Sequence, residues 1–198
     1  MNHPGNKPII VVSGLPRSGT SMMMQMLQAG GLGILTDNIR KEDKNNQRGY
    51  LEYEGVKKLK YGDYDWLDQA KGKAVKIISS LLEYLPDSYE YKIIFMKREM
   101  GEILASQGQM LQSNGKPYQD SNNDRLALIY RKHLNQISIW LNNQPNMEVL
   151  NVDYNLTIDN SQLTSAKIAS FLDTPLDISK MAQAVHKELY HQKNQKNC

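Results

Sequence analysis

The segment Gly14–Ser21, GLPRSGTS, follows a continuous apolar run, Ile9–Val12, and precedes Met22, Met23, Met26 and Leu27 at helical spacing. An unbroken Ile/Val run of this length reads as a strand buried on both faces. Residues 8–13 are therefore predicted to be a strand and residues 18–29 a helix. A strand, a glycine-bearing loop and a helix in that order fit an α/β layer structure with a mainly parallel sheet. They also mark where such a sheet binds ligands, at the carboxyl end of a strand beside a helix amino terminus. Gly14 and Gly19 let the backbone turn tightly, so that successive N–H groups converge on one anion with the helix dipole behind them. Arg17 adds a fork-shaped cation, and Ser18, Thr20 and Ser21 add hydroxyls. A plain junction with Ser18 as N-cap would need the glycines but not the cation and three hydroxyls together. An anion site is expected here.

The departures narrow the ligand. A nucleoside triphosphatase loop reads GxxxxGK followed by Ser or Thr, whereas Thr20 follows Gly19 here. The lysine that reaches terminal phosphates is missing, and Arg17 supplies charge from an earlier position. The apolar run Tyr91–Lys97 closes on Lys97 and Arg98 rather than on an acid placed to hold Mg²⁺. A basic strand end repels a metal and attracts a second anion. One cysteine and four histidines offer no zinc cluster. Metal-free anion binding is the expectation.

Further along, Ile34–Thr36 is predicted as a short strand, Asn38–Arg48 as a surface loop and Leu51–Lys60 as a helix. Lys73–Ile78 and Tyr91–Lys97 read as buried strands, with a short helix between them in Ser79–Pro86. Met100–Leu111 is predicted helical, Gln112–Asp124 a loop and Arg125–Leu141 a long amphipathic helix. Met147–Tyr154 reads as a strand, and Leu163–Leu172 and Ile178–Tyr190 as helices. No repeat or linker interrupts this alternation. The 198 residues suit one domain over 1–198, with loose tails at 1–7 and 192–198.

Composition excludes several classes. Hydrophobic residues make up 40% and charged residues 23%, which is globular. The longest apolar runs are strand-length, well short of the ~18–20 residues of a membrane span. Residues 1–13 make a poor signal peptide. The single Cys198 leaves no internal disulfide, so a cytoplasmic location is expected. The net charge of +3 is spread along the chain with no basic block, so nucleic acid is not indicated; a small anionic ligand fits the excess as well.

YKIIFMKREMGEILAS places Arg98 at a strand end and Ser106 eight residues later, about two turns into the next helix. A guanidinium and a hydroxyl so placed can meet at one phosphate. Together with the first loop, this resembles the cytosolic and Golgi sulfotransferases, which use 3′-phosphoadenosine 5′-phosphosulfate (PAPS). Their 5′-phosphosulfate loop reads PKSGTT or PRSGTT, matched by Pro16, Arg17, Ser18, Gly19, Thr20 and Ser21. Their 3′-phosphate motif is matched by Arg98 and Ser106. KAVKIISSLLEYLP resembles the family's lysine-bearing strand, with Lys76 in the lysine position. Tyr130, His133 and Trp140 fall where the family has aromatic and His residues on a helix. VLNVDYN resembles its "YED" strand end, which would put Tyr154 near the adenine. The resemblance spans about residues 8 to 173.

It implies a three-layer α/β/α, P-loop NTPase-like fold. It also implies metal-free, in-line transfer of a sulfuryl group from PAPS to a hydroxyl or amine of a small-molecule or glycan acceptor. Arg17 is the first candidate, and Lys76 the second, for the cation that steadies charge on the bridging oxygen. For the base, Asp37 stands roughly where Golgi-type relatives have a carboxylate, and Glu52 and Glu54 are alternatives. His133, on an apolar helix face, is expected to be core. The loops Asn38–Arg48 and Gln112–Asp124 are expected to select the acceptor. Two departures stand out. Ile77 and Ile78 follow Lys76 where the cytosolic enzymes have a histidine, and their glycine-rich C-terminal loop is missing. The ending KELYHQK is similar instead to the "LYR" tail of small bacterial sulfotransferases, with His191 in the arginine position. A P-loop kinase and a non-catalytic nucleotide-binding relative are the competing readings.

Overall fold

The structure is a computed structural model that describes residues 7–40, 42, 46, 49–117 and 123–186. Four strands form its sheet: β1 (Ile9–Gly14), β2 (Ala74–Lys76), β3 (Tyr91–Lys97) and β4 (Met147–Asp153), in the order β2-β1-β3-β4. Every pair is parallel, with Val11 beside Val75 on one side and Ile93 on the other, and Ile93 beside Val149. The helices are α1 (Thr20–Ala29), α2 (Leu67–Ala70), α3 (Met100–Ser113), α4 (Asn123–Asn142), α5 (Tyr154–Asp159), α6 (Ser161–Leu172) and α7 (Ile178–Gln183). Two 3₁₀ segments occupy Glu54–Tyr61 and Ser79–Tyr84.

The unbroken apolar character of β1 follows from its place in the middle. Ile9 and Val11 belong to a core shared with Leu59, Trp66, Leu82, Ile137 and Leu141 on one side of the sheet. Ile10 and Val12 belong to a second core with Met23, Met26, Leu27, Ile168 and Met181 on the other. This is the three-layer, mainly parallel arrangement expected of the sequence. Because β2 and β3 flank β1 on opposite sides, the chain departs from β1 in two directions, and a crevice opens at its carboxyl end. The glycine loop lies there.

Several elements differ from expectation. Ile34 makes a single parallel bridge to Ala74 instead of forming a strand. Residues 51–53 are not helical, since Leu51 has φ 48°, and only Glu54–Tyr61 coils, as a 3₁₀ segment. Helix α1 starts at Thr20 rather than Ser18, because Arg17 (φ 70°) and Gly19 (φ 100°) are left-handed. Tyr154 opens α5 instead of ending β4, with the Asp153 carboxylate accepting the Leu156 N–H as an N-cap. α3 continues to Ser113 and α4 begins at Asn123. α7 stops at Gln183. His191 and the rest of KELYHQK lie outside the described residues. No described helix is long and apolar enough to cross a membrane.

Candidate active site

At the carboxyl end of β1 a cleft of about 430 Å³ runs past the loop of residues 14–19, α1, the end of β2, α3 and the start of α5. The loop is built by local constraint. The Ser18 hydroxyl, 1% exposed, donates to the Leu15 carbonyl at 2.7 Å, and the Ser18 N–H donates to the same oxygen at 3.2 Å. A β-carbon on Gly14 would lie 2.5 Å from that hydroxyl and 2.7 Å from the Met96 carbonyl. A β-carbon on Gly19 would lie 2.3 Å from Cδ2 of Tyr154. With positive φ at both positions, only glycine lets the loop close against β3 and Tyr154.

Arg98, at the end of β3, reaches across to this loop. Its Nη1 donates to the Arg17 carbonyl at 3.0 Å, and its guanidinium lies 4.2 Å from the centre of the Tyr154 ring. Arg17 returns the contact, its Nε donating to the Ser106 hydroxyl at 2.9 Å. The two motifs, 81 residues apart at Arg17 and Arg98, thus form one cationic end of the cleft. Behind it, Glu102 accepts from Arg98 Nε at 2.9 Å and from Asn155 Nδ2 at 3.2 Å. Burial holds the Tyr154 hydroxyl pKa up, against the pull of the nearby Arg98 and Arg17 cations.

The other wall centres on Lys76 at the end of β2. Its ammonium donates to the Tyr50 carbonyl at 2.7 Å and the Ser21 hydroxyl at 3.1 Å, and pairs with Glu52 Oε1 at 3.1 Å. Burial pushes the Lys76 pKa down, and Glu52 opposes it. Arg40 grips both oxygens of Glu52 at 3.2 Å and lies 3.4 Å over the Tyr50 ring. Asn46 donates to Ser21 at 2.9 Å, which ties the segment before Tyr50 to the first turn of α1.

A family model for the sulfotransferase domain matches residues 7–198. The chain belongs to that family. Among curated proteins, none matches the sequence. Several solved structures share the fold. The sulfotransferase domain of the Synechococcus PCC 7002 olefin synthase aligns at TM-score 0.56 and 15% identity, over 96% of this chain and 82% of that one. The sulfotransferase domain from the curacin biosynthetic pathway gives 0.55 and 15%, over 92% and 79%. Mouse sulfotransferase SULT7A1 complexed with PAP gives 0.57 and 16%, over 90% and 62%.

In this sulfotransferase domain, the structure brings Pro16, Arg17, Gly19, Thr20, Ser21, Lys76, Arg98, Ser106 and Tyr154 to one cleft, with Glu52. Among the described residues lining it, Ser18, Asp37 and Glu54 do not occur. Ser18 is spent on shaping the loop. The Asp37 carboxylate accepts from the Glu54 N–H at 2.6 Å and the Ile39 N–H at 3.0 Å, so it organises a turn. Glu54 pairs with Lys57 on the 3₁₀ segment. His133 bonds through Nε2 to Ser79, and neither is among the described residues lining the cleft. Arg40 and Asn46 line the cleft from within the stretch 38–48 that was expected to select the acceptor, whereas Tyr50 and His186 line it without having been candidates. Tyr50 precedes one predicted helix and His186 falls within another, and only long-range contact brings them to the cleft. Glu102 did carry a local signal, an acid one helical turn after Arg98. Among the described residues, no group of three or more His, Cys, Asp or Glu is placed to hold a metal ion.

Proposed function

We propose that this sulfotransferase domain uses PAPS as donor and transfers its sulfuryl group to a hydroxyl or amine of a small-molecule or glycan acceptor. The observation that carries this reading is the cross-connection of Arg17, Ser106 and Arg98, which gathers a glycine loop and a strand-end guanidinium at one end of one cleft. The chemistry of the donor set fits: two guanidiniums, hydroxyls and a loop that a side chain at Gly14 or Gly19 would fill. Arg17, Thr20 and Ser21 would hold the 5′ end, Arg98 and Ser106 the 3′-phosphate, and Tyr154 the adenine side. When bound, PAPS supplies a sulfuryl group joined to the 5′-phosphate through a bridging oxygen.

The residues of the chain do the rest. As that bridging bond breaks, negative charge grows on the leaving nucleotide, and a fixed cation beside it lowers the barrier. Lys76 suits this role: its ammonium is buried and held by three partners on the wall opposite Arg98. Arg17 reinforces it from the loop. Glu52 takes the proton of the acceptor, being the carboxylate among the candidates that faces the cleft.

Isothermal titration tests the donor. Tight binding of adenosine 3′,5′-bisphosphate (PAP, the product) without Mg²⁺ is expected, whereas Mg²⁺-dependent ATP binding in its place would favour a kinase. Transfer of sulfur-35 from labelled PAPS tests catalysis, and binding without transfer to any acceptor would mark a non-catalytic relative. For the base, Glu52→Gln is expected to lower kcat about 100- to 10,000-fold. Asp37→Asn and Glu54→Gln are expected to keep turnover within a few-fold of wild type. If Glu52→Gln turns over normally, the base lies elsewhere.

A further inference from the structure

We propose that Glu102 and Asn155 are positioning residues for Arg98, and that through it they set the preference of the cleft for a nucleotide bearing a second phosphate. This rests on the reading that Arg98 receives the 3′-phosphate. Glu102 is 3% exposed, and the Arg98 side chain it pairs with is 7% exposed. On charge alone a carboxylate is misplaced here, because it puts a negative charge directly behind a site for an anion. Its geometry supplies another reason. One oxygen accepts from Arg98 Nε at 2.9 Å and the other from Asn155 at 3.2 Å. The guanidinium is therefore held along its Nε edge by Glu102, at Nη1 by the Arg17 carbonyl at 3.0 Å, and across its face by Tyr154 at 4.2 Å.

The anchors come from separate elements. Glu102 sits on α3, one turn after Arg98, and Asn155 follows Tyr154 at the start of α5. An arginine otherwise loses considerable rotamer freedom when it grips a ligand. Fixing it in advance transfers that cost to folding and leaves more of the interaction for binding. The two effects of Glu102 have opposite signs. Removing its charge makes the cleft one unit more positive, which by itself strengthens anion binding. Removing its hold on Arg98 weakens binding, and only for a ligand that uses Arg98.

The test is titration of the intact chain and its Glu102→Gln and Asn155→Ala variants with PAP and with 5′-AMP, which lacks the second phosphate. Glutamine keeps the shape, but its one carbonyl oxygen serves only one of the two donors. Glu102→Gln is expected to weaken PAP about tenfold, the scale seen when an orienting partner is removed from a ligating side chain. Binding of 5′-AMP should stay within about twofold on the same grounds. Asn155→Ala is expected to move PAP in the same sense by a smaller factor, and it carries the test if Glu102→Gln fails to fold. PAP affinity unchanged or tighter in the folded variants overturns the proposal. So does an equal loss for both nucleotides, which is the mark of a general structural role. A wild-type chain that does not prefer PAP to 5′-AMP fails earlier, at the donor assignment, and removes this inference with it.

Discussion

Lys76→Met is expected to lower kcat about 100- to 1,000-fold while PAP binding stays within a few-fold of wild type. That size is what removal of one preorganised donor costs when it meets charge that develops only in the transition state. Lys76 qualifies because it is nearly dry, 7% exposed, and held by Tyr50, Ser21 and Glu52, so its charge is in place at the cleft before the leaving group forms. A loss confined to PAP binding would reassign Lys76 to ground-state recognition. The lowered pKa adds a pH signature. In the free protein Lys76 loses its proton below the ordinary value of 10.5, so the alkaline limb of kcat/KM should fall there. The stability effect runs the other way. Between the lowered folded value and 10.5 the unfolded chain binds more protons at this site than the folded one, so stability rises with pH across that window. Thermal melts of wild type should accordingly gain on Lys76→Met as pH climbs toward 10.5.

Arg98→Ala is expected to weaken PAP binding at least tenfold and to destabilise the fold at the same time. The binding loss follows from charge-assisted hydrogen bonds, about 1.5–3 kcal/mol. The stability loss follows from Glu102, which would remain as a buried carboxylate without its paired guanidinium; breaking such a pair from one side costs about 3–5 kcal/mol. Adding Glu102→Gln should therefore recover much of the lost stability but none of the lost affinity. Urea unfolding and PAP titration of the single and double variants separate the two. Wild-type affinity in Arg98→Ala would remove the second anion site from the donor assignment.

Much of this frame was legible in the chain because it is encoded locally. A continuous apolar strand is readable where both faces are buried, as in β1 and β3, and two glycines at fixed distance from a strand end announce a tight loop. Arg98 and Ser106 were legible for the same reason: one follows a strand and the other falls two turns into a helix. Residues 51–53 were not. GYLEYE has no period that separates a 3₁₀ segment from a helix, and the left-handed turn at Leu51 is a product of its surroundings.

The glycine loop, its cation and the parallel sheet that presents it are properties of sequence alone, because each depends on neighbours a few residues away. Which carboxylate meets the cleft is not such a property. Asp37, Glu52 and Glu54 are alike in composition and spacing. Glu52 alone of them was brought to the Lys76 ammonium, which also bonds the Tyr50 carbonyl 26 residues away, while Asp37 was consumed by backbone N–H groups of its own turn. The same holds for Ser18, spent inside the loop, and for the hold of Glu102 on a guanidinium that spans 81 residues to reach Arg17. Burial and long-range pairing decide such roles, and both arise only once the layers have packed.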